Sequence, residues 1–170
     1  MTVVNKIRML LLAAWLGVAI YFSAVVAPST FAVLRSFILP NASEIAGTIV
    51  TRTLSVVNLS GFILTLLLLV SAFLLKGSYG RTSFMLQTVL LTIVAAATGL
   101  GQWVIAARMR ELRAAMHGQI DQVALSDPNR VAFAALHGYS VAALGIAMLA
   151  SLVIILLMVL ARENSSTPKP

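Results

Sequence analysis

The side chains able to do chemistry are few in a chain with no cysteine and two histidines. Three of them, Asn58, Gln102 and His137, stand inside long uncharged, apolar stretches. An amide offers two donors and an acceptor; an imidazole offers a donor, an acceptor or a metal ligand. Such a set could bind a small ligand, relay a proton, or ligate a metal or haem. Pro28 and Thr30 add a backbone break. Pro28 cannot donate to the carbonyl of Ala24, which predicts a kink and a free acceptor there. Ser140 follows His137 by three residues and shares its helical face.

Other constellations are missing. There is no Ser/His/Asp arrangement, no pair of carboxylates inside an apolar stretch and no glycine-rich phosphate loop. Gly99-Leu100-Gly101 is too short for a dinucleotide fingerprint. No catalytic residue and no cofactor are expected, and the reading is non-enzymatic. Met109, Met116 and His117 would suit Cu(I). Methionines at helical spacing are an ordinary apolar face, however, so no metal site is expected. His137 is the single histidine within an apolar stretch, which excludes a haem held by two such histidines of one chain.

The elements that must position these residues follow from charge and hydropathy. Of 170 residues 60% are apolar and 10% charged, with a mean hydropathy of +1.00. Soluble domains carry about a quarter charged residues. The uncharged stretches are 9–34, 53–75, 82–107 and 131–161. Each exceeds the roughly 20 residues that a bilayer core requires. Lipid admits only helices or closed barrels, and runs such as Leu64–Val70 lack barrel alternation. The expected fold is all-α: a polytopic membrane protein whose four transmembrane helices form an up-down-up-down bundle, one membrane domain over 1–170. The first stretch is too long for a cleaved signal peptide, and its best small-residue site, Ala27, precedes Pro28. The net charge of +7 reflects basic residues flanking membrane helices. The lipid bilayer is the expected partner, and nucleic acid is not.

Four spans put both termini on one side, A, with Lys6, Arg8, Lys76, Arg81, Arg162 and Lys169. Side B has as many: Arg35, Arg52, Arg108, Arg110, Arg113 and Arg130. The density is greater on side A, which predicts cytoplasmic termini in a bacterial inner membrane. Asn41 and Glu44 predict a capping box opening helix 2 near Ala42. Met109, Leu112, Met116, Ile120 and Val123 predict an amphipathic platform over about 108–127. Ser126-Asp127-Pro128 predicts the start of helix 4, and 162–170 a short polar tail.

Counted inward from side B, every helix places a polar or helix-breaking residue in one layer, ~10 Å deep. Its members are Pro28, Thr30, Asn58, Gln102, His137 and Ser140. Glu44, Thr48, Thr51, Ser55 and Asn58 form a stripe pointing to it. Ala13/Gly17, Ala95/Gly99, Ala97/Gly101 and Ala134/Gly138/Ala142 predict close helix packing, or a homo-oligomer interface. His137 is expected to face the bundle, with Asn58, Gln102 or the carbonyl near Pro28 as partner.

Ala24-Val25-Val26-Ala27-Pro28-Ser29-Thr30-Phe31, Ala46-Gly47 and Phe133-Ala134-Ala135-Leu136-His137-Gly138-Tyr139-Ser140 resemble the bacterial branch of the transmembrane protein 205-like family. The resemblance implies four helices in this order and no settled activity. Leu144 stands where that pattern often has Asn.

The layer is therefore read as a candidate ligand-binding site for a small hydrophobic or cationic molecule, or for a membrane partner. Plain interhelical hydrogen bonding is the structural alternative. Two functional alternatives are a haem- or metal-binding oxidoreductase component using His137, and a small oligomeric transporter.

Overall fold

The structure, a computed structural model, describes residues 3–37, 39, 41–78 and 80–166, with side chains to residue 160 except at Ser78. Four helices account for most of it: α1 (Val3–Ser36), α2 (Ala42–Leu74), α3 (Arg81–Ala115) and α4 (Pro128–Ser166). No strand occurs among the described residues. All four are long and apolar enough to cross a membrane. Helix α1 packs against α2 and α4, and α3 packs against the same two, so the bundle closes as a ring.

Lipid explains the surface. In each apolar window no more than 33% of residues are buried inside the bundle. The outward positions are still apolar, including Leu10, Leu67, Val70, Leu149 and Leu156. Such a surface would aggregate in water, but hydrocarbon is its proper solvent. Inside, Leu12, Trp15, Leu16, Ala19 and Phe22 of α1 meet Val57 and Leu68 of α2. Leu91 and Val94 of α3, with Leu144, Ala147, Ile154 and Met158 of α4, complete the core.

Local chemistry sets the helix ends. Asp127 Oδ1 accepts the backbone N–H of Asn129 at 2.8 Å and of Arg130 at 3.2 Å. With Pro128 as the first helical residue, this is the N-cap that the sequence predicts. The expected break at Pro28 takes the form of a π turn, Phe22–Val26, in which the Ala27 N–H donates to Phe22 O. Widening the helix just before Pro28 accommodates a residue that lacks the N–H of an α turn. A second π turn, Leu100–Ile105, widens α3.

Several expectations are corrected. The capping box at Asn41 does not form: Asn41 makes no side-chain cap bond. The Glu44 carboxylate instead accepts from Arg113 of α3 at 2.6 Å. An ion pair between helices outcompetes a local bond to a terminal amide. The platform is shorter than 108–127. Helix α3 ends at Ala115, burying Leu112, with Met116 packed just beyond, and Gly118 turns the chain at φ +111. Ile120 and Val123 thus lie in a loop, and that conformation is open mainly to glycine. Arg113 donates to Gly118 O at 3.1 Å, and Arg130 donates to Val123 O, so arginines from both flanking helices clamp this loop. The tail expected at 162–170 is helical to Ser166; its side chains and residues 167–170 lie outside the described residues.

Candidate functional site: a polar seam between α2 and α3

The polar residues do not form one layer. Trp15 Nε1 donates to Val57 O at 3.0 Å, which sets Trp15 of α1 level with Asn58 of α2. Pro28 lies about 20 Å further along α1 at 1.5 Å per residue. It is exposed, and half-buried Thr30 spends its hydroxyl on its own helix, donating to Val26 O at 2.7 Å. His137 is exposed too. The inward face of α4 runs through Ser140, Leu144, Ala147, Ser151 and Ile154. Extended back by one turn it passes half-buried Leu136, one position round from the imidazole. His137 forms no hydrogen bond to another described residue. Its expected inward orientation, and its partnership with Asn58, Gln102 or Pro28, are not what the bundle produces. Ser140 is buried on α4 as expected, at 7% exposure.

Asn58 and Gln102 do meet the same interface. Gln102 sits in the α3 π turn and pairs with Ser55 of α2. Its Nε2 donates to Ser55 Oγ at 2.9 Å, and Ser55 Oγ lies 3.1 Å from Oε1. One turn on, Asn58 is 4% exposed. Its amide lies over Gly101, where an added Cβ would come 2.9 Å from Nδ2. Glycine is needed there because the amide occupies the space of a side chain. Asn58 forms no hydrogen bond to another described residue. The seam therefore offers two donors and an acceptor that no helix uses.

The large side chains on neighbouring turns are aromatic and uncharged. Phe62 and Trp103 meet edge to face with centroids 4.7 Å apart. Trp15 packs on Gly61, where a Cβ would come within 2.6 Å of the indole. The nearest described ion pair, Arg108 with Glu111, begins about 10 Å from Gly101 along α3 and is exposed. Of the stripe on α2, Thr48 and Thr51 are exposed, and only its Ser55–Asn58 end reaches the seam. Sequence reasoning placed Ser55 on that stripe but not at the site. Trp15, Gly61 and Gly101 left no polar signal, since tryptophan and glycine are unremarkable in an apolar helix.

The small-residue pairs divide in the same way. Ala95, Gly99, Ala97 and Gly101 on α3 are buried or half-buried in packing, whereas Ala13, Gly17, Ala134, Gly138 and Ala142 are exposed.

An all-helical bundle with apolar outer faces and an uncharged polar seam defines a multi-pass integral membrane protein. The chain belongs to the family described as Domain of unknown function (DUF4149), whose model matches residues 10–118. The match spans α1 to the end of α3 and so contains every seam residue, while α4 lies beyond it. No curated protein and no solved structure matches the chain.

Proposed function

We propose that this protein is a non-enzymatic membrane protein that binds a small neutral molecule in the α2–α3 seam. The ligand would be lipid-soluble and carry a carbonyl or hydroxyl group. The observation behind this reading is Asn58, a residue only 4% exposed whose amide makes no hydrogen bond among the described residues. A ligand carbonyl would accept from it, and the Phe62–Trp103 pair would flank an apolar body. The described seam has no carboxylate to balance a cation, which favours a neutral ligand over a cationic one. The π turn supports the same reading, because such turns occur often at functional sites. We further propose a bacterial inner membrane with both termini cytoplasmic, on the basis of the denser side-A charge, and kinship with transmembrane protein 205-like proteins. A reporter fused after Pro170 should then be active in the cytoplasm.

The two tryptophans of the chain, Trp15 and Trp103, both border the seam. Their fluorescence is therefore a local reporter. A decyl-tailed benzoquinone titrated into the purified protein should quench it saturably. Asn58→Leu should abolish the saturable phase, and His137→Leu should keep it. A quench that rises linearly and equally in wild type and Asn58→Leu is mere partition into detergent and refutes the proposal.

A further inference from the structure

A groove of about 340 Å³ lies on α3 at the opposite end of the bundle from the platform. Among the described residues it is lined by Arg81, Thr82, Met85, Leu86 and Val89. These recur at steps of one and three, so they share one helix face. Met85, Leu86 and Val89 are exposed. Arg81 begins the helix, and Val89 lies about 12 Å below it. The groove is thus cationic at its rim and hydrocarbon-like beneath. Lys76, in the turn before α3, brings a second cation to this end, its Nζ 5.6 Å from the Phe84 ring centroid. Four of the five acidic residues, Glu44, Glu111, Asp121 and Asp127, belong to the other end of the bundle; the fifth, Glu163, follows Arg162 at this end of α4, its side chain outside the described residues. By sequence this end therefore carries an excess of cations, Lys76, Arg81 and Arg162 against the single carboxylate of Glu163.

We infer that the groove seats an anionic phospholipid. Its phosphate lies against Arg81 with Lys76 nearby, and one acyl chain lies along Met85, Leu86 and Val89. Charge complementarity selects the headgroup, since a zwitterionic lipid carries its own cation to the same rim. The inference is independent of the seam and of its ligand.

The test is native mass spectrometry of the full-length protein in detergent, with added phosphatidylglycerol, phosphatidylcholine or inorganic phosphate. Wild type should retain phosphatidylglycerol in preference to phosphatidylcholine and retain no inorganic phosphate. Arg81→Gln should weaken that retention about fivefold, the worth of one basic residue near an anionic surface. Leu86→Trp, which fills the groove, should weaken it as well. Arg52→Gln, at the other end of the bundle, should leave it unchanged. Equal retention of the two lipids would overturn the inference, as would undiminished phosphatidylglycerol in both Arg81→Gln and Leu86→Trp.

Discussion

The α2–α3 seam and the outer face of α4 carry similar ingredients and meet opposite surroundings. Each has a polar side chain capable of hydrogen bonding, Asn58 in one and His137 in the other, with small residues close by. In the seam, Gly101 lies directly beneath the Asn58 amide, and where α2 meets α1 Gly61 lies beneath the Trp15 indole. On α4, Gly138 has nothing within 4 Å of where its Cβ would be, and Tyr139 beside it is 65% exposed. The difference teaches that a small residue in a membrane helix has no fixed meaning. It is a packing device where a neighbouring helix arrives, and a plain position where lipid does.

The sharpest contrast comes from one substitution made in both regions. Gly61→Ala drives a methyl into a rigid indole and should destabilise by about 2–3 kcal/mol. Gly138→Ala meets open space and should be neutral, or stabilising by up to about 1 kcal/mol through helix propensity. Reversible unfolding in mixed micelles measures both. Equal losses would mean that the outer face of α4 is packed after all.

Asn58→Leu and His137→Leu sharpen the comparison next. Replacing an amide that makes no hydrogen bond among the described residues by an apolar side chain of like size should leave stability within about 1 kcal/mol of wild type while removing ligand binding. His137→Leu should change stability by less than about 0.5 kcal/mol, as a side chain away from packing does. A loss of 1 kcal/mol or more there would give the imidazole a partner that the single chain does not supply. A smaller effect is expected for the Ser55–Gln102 pair. A double-mutant cycle with Ser55→Ala and Gln102→Leu should return a coupling of about 0.6 kcal/mol, the average for hydrogen bonds between membrane helices. The smallest belongs to Glu44 and Arg113. The Glu44 side chain is 39% exposed, so Glu44→Gln should cost about 0.5 kcal/mol or less, and less still in high salt.

Much of the candidate site was legible in the sequence, and its failures have a common cause. Asn58 and Gln102 could be found because an amide is conspicuous in an uncharged helix. Their shared interface followed from equal distances to one membrane face. The same counting misplaced Pro28, because α1 is offset along α2 by the seating of Trp15 on Gly61 and Val57. No spacing within α1 encodes that offset.

The sequence by itself determined the four helices, their order and the start of α4. In lipid a backbone must satisfy its own hydrogen bonds, so an uncharged run of sufficient length can only be a helix. Asp127 and Pro128 then mark a start that needs no tertiary partner. What only the tertiary structure decided was the rotation of each helix about its axis and its slide along its neighbours. In water, a polar face declares which side of a helix is out. Here lipid and core are equally apolar, so that signal vanishes. Shape alone, an indole on Gly61 and an amide on Gly101, turned Asn58 inward. On α4 the packing of Ser140, Leu144 and Ala147 turned His137 out.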